Sequence, residues 1–146
     1  MPRYFTLRQA EELLPQIEPA IREGIDLKAE FQSADAAFRS STARIAMLGG
    51  VDVNRTAIVE QRARRDVSAA RLKRLLDDLN ERGCLVKDLD MGLIDFPTLL
   101  RGEEVYLCWK LGEDSIRFWH HVADGYRGRK PIDGDFMENH RGEAEN

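Results

Sequence analysis

Two carboxylates near the middle of the chain, Asp88 and Asp95, carry the first suggestion of chemistry. If Met91-Gly92 is a two-residue turn, Leu85–Asp90 and Leu93–Phe96 pair as antiparallel strands and Asp88 falls opposite Asp95. Like charges facing each other across a strand pair are unfavourable by themselves. An arginine or lysine, a shared proton or a metal ion removes the repulsion. Glu113 and the imidazole of His120 extend the set, and mixed carboxylate and imidazole donors suit manganese, iron or zinc. The expected polar site, with a divalent metal as its possible cofactor, is therefore Asp88, Asp95, Glu113 and His120, walled by Trp109 and Trp119. Adjacent His120 and His121 diverge on a strand or a helix, so only one of them joins. No H-x-x-x-H or H-E-x-x-H spacing accompanies them.

Other groups are weaker candidates. Gly125-Tyr126-Arg127-Gly128-Arg129-Lys130-Pro131 is a basic turn whose Arg127 and Arg129 could fork onto phosphate or carboxylate, or simply neutralise neighbouring acids. It is not a phosphate-binding loop of the G-x-x-x-x-G-K-[ST] type. Cys108 lies mid-strand between Leu107 and Trp109 and reads as a packing thiol. Ser40-Ser41-Thr42 has no surrounding nucleophile elbow. Arg62, Arg64, Arg65, Arg71, Lys73 and Arg74 are basic, but aromatics do not interleave with them and the net charge is −4, which argues against nucleic acid.

The elements that must position these residues follow from periodicity. The chain has 146 residues, 42% hydrophobic and 33% charged, enough for a single domain with a buried core. No apolar run approaches the ~18 residues of a membrane span. Two cysteines are too few for a disulfide framework, and a reducing cytoplasm is the expected compartment. Thr6 and Gln9 form a capping box, with Phe5 and Ala10 at the staple positions. Apolar residues then recur at helical spacing from Leu7 through Ile21 and on to Leu48, interrupted by Pro15 and Pro19, which should kink the helix or end a short one near Leu14. Gly49-Gly50 stops helix one, a loop follows over Val51–Asn54, and helix two runs from about Arg55 to Arg82 before Gly83.

Strand signals begin after Gly83. Pro97 should end the second strand, and Arg101-Gly102-Glu103-Glu104 is the next turn. A Gly112-Glu113 turn would join Val105–Leu111 to Ser115–Trp119, placing Trp109 opposite Ile116, Leu107 opposite Phe118 and Tyr106 opposite Trp119. The expectation is an α+β chain: a long antiparallel helical hairpin (6–82) followed by a small antiparallel β-sheet of hairpins (83–132), one domain over 1–132. Residues 133–146 form an acidic tail that reads as disordered unless Phe136 and Met137 dock.

The pattern Phe5-Thr6, Ala10, Leu13-Leu14-Pro15 resembles the opening of a bacterial family of unknown function, the family of domain of unknown function 2203. Gly83, Val86-Lys87-Asp88, Gly92 to Pro97, Leu107-Cys108-Trp109, Gly112-Glu113, Trp119-His120, Gly125-Tyr126, Arg129 and Pro131 fall in that family's order. The resemblance spans about residues 4 to 132 and implies no activity.

Two functions fit these features. The first is a non-enzymatic interaction module: the small residues Val59, Ala63, Val67 and Ala70 on helix two would meet a second copy, giving a homodimer. The alternative is a small metal-binding protein or metal-dependent hydrolase, with its carboxylate and histidine site at the base of the β-unit.

Overall fold

The computed structural model describes residues 3–49 and 54–143, in an α+β arrangement. Two compact units divide the chain, one built from the segments up to Arg22 and from Leu76 onward, the other from Glu23–Leu75.

Helix α1 (Leu7–Leu48) starts at the capping box. Gln9 N–H donates to Thr6 Oγ1 at 3.1 Å and Thr6 N–H to Gln9 Oε1 at 2.9 Å. Phe5 and Ala10 are both buried. Pro15 and Pro19 lie inside the helix and do not end it, which leaves the second of the two expected outcomes, a short helix stopping near Leu14, unrealised. They are four residues apart, hence on one face, and both are exposed. The carbonyls they leave without a helical donor therefore face the solvent side, where water satisfies them. Gly49 takes φ 65 at the helix end. Gly50 and residues 51–53 of the expected loop lie outside the described residues. Helix α2 (Arg55–Glu81) is capped by Asn54, whose Oδ1 accepts the Ala57 N–H at 3.0 Å. It closes in a Schellman arrangement, with Cys84 N–H on Leu79 O and Gly83 N–H on Asn80 O.

In the unit Glu23–Leu75 the two helices run antiparallel. Asp35 meets Arg65 at 3.8 Å, Ser41 Oγ donates to Gln61 Oε1 at 2.9 Å, and the Arg65 guanidinium lies 4.6 Å from the Phe38 ring centroid. Leu27, Ala34 and Ser68 are buried there.

The other unit holds a six-stranded antiparallel sheet: β1 (Leu85–Asp88), β2 (Leu93–Leu100), β3 (Glu103–Lys110), β4 (Phe118–His121), β5 (Lys130–Pro131) and β6 (His140–Arg141). The order is β1-β2-β3-β4-β5, with β6 also on β2. Pro97 sits inside β2 rather than ending it. Its carbonyl accepts the Phe5 N–H at 2.8 Å, on the edge away from β3. The N–H and C=O of one strand residue point to the same edge, so the missing proline donor costs the β2–β3 ladder nothing. Arg101 and Gly102, at φ 51 and 82, form a two-residue turn, and β3 begins at Glu103.

Two expected registers shift. Leu89–Gly92 is a four-residue turn, so Leu85, not Asp88, faces Asp95, and a bulge between Val86 and Asp88 sets Asp88 opposite Leu93. Between β3 and β4, Cys108 faces Phe118, Leu107 faces Trp119 and Tyr106 faces His120, one residue from expectation. The cause is Glu113. Its Oε1 accepts the Lys110 N–H at 2.6 Å, its N–H donates to Lys110 O, and its carbonyl accepts the Trp109 indole N–H. The connection is therefore a seven-residue loop over 111–117 rather than a tight turn.

One face of the sheet carries buried Ile94, Phe96, Thr98, Val105, Leu107 and Trp109, and Phe5 meets Phe96 edge-on at 5.5 Å. Ala10, Ile17, Ile21 and Leu79 are buried in the same unit. The acidic segment docks: Asp133 caps helix α3 (Gly134–Asn139), buried Phe136 stacks on Trp119 at 5.1 Å, and β6 pairs with β2.

Candidate functional site

Strand register and side-chain alternation assemble the site on the opposite sheet face. Asp95 on β2 faces Cys108 on β3, and His120 on β4 faces Tyr106, two residues from Cys108. Residues two apart share a face, so Asp95, Cys108, Tyr106 and His120 point to one side. His120 Nε2 lies 3.0 Å from Asp95 Oδ1 and 3.1 Å from Oδ2. Its Nδ1 lies 2.8 Å from the His121 carbonyl oxygen. A carbonyl only accepts, so the network assigns a proton to Nδ1, and one further proton lies between Nε2 and the carboxyl group.

Both side chains are buried, at 2% and 1% exposure. Burial pushes the Asp95 carboxyl above its ordinary value, and His120, the Cys108 thiol and Lys87 oppose that rise. Burial, reinforced by the Asp95 charge, pushes the Cys108 thiol up to about 12. Both His120 nitrogens are engaged elsewhere and Cys108 hydrogen-bonds Asp95, so this is not an activated thiol–imidazole pair. One donor atom each from Asp95, Cys108 and His120 lies within 4.8 Å of the others.

Aromatic rings with cations over them surround the cluster. Tyr106 meets the His120 ring edge-on at 5.6 Å, and Lys87 Nζ stands 4.8 Å over Tyr106. Arg129 lies 4.1 Å over Phe118 and 4.9 Å over Tyr126.

Of the residues expected at the site, Asp95 and His120 come together and the others do not. Asp88 is exposed, and its Oδ1 accepts the Met91 N–H at 3.1 Å within the turn. Glu113 braces its own loop and takes both oxygens to Arg129 Nη2 at 2.8 Å. Arg129 thus neutralises an acid, and Arg127 is exposed in the 3-10 turn Tyr126–Gly128. Trp109 and Trp119 lie on the other sheet face and wall nothing here, because their neighbours Cys108 and His120 occupy this one. Cys108, read from sequence as a packing thiol, is buried and lies beside this pair. Its position opposite Asp95 follows from the β2–β3 register that Arg101-Gly102 sets.

On α2, Val59 and Val67 are 66% and 51% exposed, and Ala63 and Ala70 are exposed beside them. No described helix is long and apolar enough to cross a membrane. No curated protein and no solved structure matches the chain. The family described as an uncharacterized conserved protein, DUF2203, matches residues 3–132, and the chain belongs to it.

Proposed function

We propose that the chain is a non-enzymatic interaction module that self-associates through the unit Glu23–Leu75. The observation that carries this reading is the stripe Val59, Ala63, Val67 and Ala70, apolar at i, i+4, i+8 and i+11 and turned to solvent. Valine at an exposed helical position gains nothing from packing and loses side-chain freedom. A second helix laid along the stripe recovers about 1 kcal/mol or more for each valine it covers.

The flanks favour a second copy of the same helix. Glu60 and Arg71 border the stripe on one side, Arg62 and Asp66 on the other. An antiparallel copy related by a two-fold axis brings Glu60 towards Arg71 of its mate and Arg62 towards Asp66, each pair made twice. The two cysteines are free thiols, which suits work in the cytoplasm.

Light scattering across the micromolar range tests the proposal. A dimer is expected for the wild type, and a monomer of unchanged circular dichroism for Val59→Glu/Val67→Glu. A wild-type monomer throughout the range overturns it.

A further inference from the structure

We propose that Asp95, Cys108 and His120 form a binding site for one divalent cation of the zinc class. Carboxylate oxygen, thiolate sulfur and imidazole nitrogen together suit a borderline-soft ion and discriminate against magnesium and calcium, which take oxygen.

Metal bonds of ~2.0–2.3 Å at the tetrahedral angle place ligand atoms about 3.3–3.8 Å apart. Nε2 and Oδ1 stand 3.0 Å apart, and no separation within the trio exceeds 4.8 Å. Side-chain movements of about an ångström therefore bring all three onto one ion.

A metal-bound histidine holds its other ring nitrogen on a carbonyl or carboxylate, which fixes both ring plane and tautomer. His120 Nδ1 is already so held, 2.8 Å from the His121 carbonyl oxygen, which leaves Nε2 as the nitrogen facing the other donors.

One carboxylate and one thiolate balance a divalent cation, so the loaded site is neutral, the condition under which an ion is tolerated away from water. The cations on this face make their direct contacts with other groups, Arg129 with Glu113 and Lys87 with the Tyr106 ring, while their charge favours the ionised forms of Cys108 and Asp95. Three strands supply one ligand each, so the ion would tie β2, β3 and β4 together, with a fourth position left for water or another donor.

Cobalt(II) chloride added to chelator-treated full-length protein tests the site. The expected result is one equivalent bound, with a thiolate-to-cobalt charge-transfer band and the visible bands of tetrahedral cobalt, bleached by zinc chloride. The chain's only other cysteine makes the control: Cys84→Ala keeps the band, whereas Cys108→Ala and Cys108→Ser lose it. His120→Gln weakens cobalt binding by more than the ~10–100-fold typical of outer-shell changes. Independently of colour, zinc chloride raises the thermal unfolding midpoint of the wild type and not that of Cys108→Ser. Absence of the band in wild type, or a band that survives in Cys108→Ala, overturns the proposal.

Discussion

Asp95 and His120 meet over β3, the strand that separates theirs, with His120 Nε2 3.0 Å and 3.1 Å from the two carboxyl oxygens and both side chains buried. Removing one member leaves the other desolvated, with only the Cys108 thiol on Asp95 or the His121 carbonyl on His120. Asp95→Ala and His120→Ala should each cost about 3–5 kcal/mol in urea unfolding. The Asp95→Leu/His120→Phe double replacement should cost less than the sum of its single changes by about 1–3 kcal/mol.

Two glycines with similar backbone angles should respond differently to alanine. Gly92 has φ 66, and a Cβ there would press on Cβ of Leu111. Gly102 has φ 82 and open space around it. Gly102→Ala should lose about 1–2 kcal/mol, the left-handed cost alone. Gly92→Ala should exceed that by about 1 kcal/mol or more, because backbone and Leu111 must also move. Parallel urea titrations compare them.

Phe136 lies outside the stretch that matches the family, yet it is buried between Trp119 and His140, 5.1 Å from each ring. His140 in turn accepts the Leu7 N–H on Nε2 at 3.1 Å. Phe136→Ala should cost about 3–5 kcal/mol and shift the tryptophan emission, since Trp119 loses its stacking partner. An unchanged spectrum and midpoint would mean that the acidic segment adds nothing to this unit.

Burial pushes the Cys84 thiol up to about 11. A thiol that ionises less readily folded than unfolded adds stability that is intact below the ordinary value of 9.0 and is lost as pH climbs from there through 11. Replacing Cys84 by alanine should therefore flatten the fall in stability over that window, read by tryptophan fluorescence during a base titration. Cys84 and Cys108 are both buried, so iodoacetamide in mildly alkaline buffer should label them at the rate of opening.

The helix boundaries were legible because they depend on neighbours in sequence. Thr6 with Gln9, Asn54 with Ala57 and Gly83 with Asn80 act across three residues. Whether Pro15 and Pro19 would break the helix was not legible, because their effect depends on which face meets solvent, a tertiary fact. The candidate residues were legible as residue types, and of the four expected together only Asp95 and His120 meet. Which residues join them depended on register. One glutamate side chain, Glu113 on the Lys110 N–H, turned an expected two-residue turn into a seven-residue loop and moved every β3–β4 pair by one position. Asp88 was lost to a bulge that no pattern of alternation announces.

Both extremities of the described chain end on the same strand. Phe5 hydrogen-bonds Pro97, β6 continues along that edge at Leu99 and Leu100, and Glu143 N–H reaches the Tyr4 carbonyl at 3.0 Å. The segments around Tyr4 and around Arg141 thus clasp one another along that edge, each serving as the other's latch. Loss of either segment from that edge unfastens its opposite.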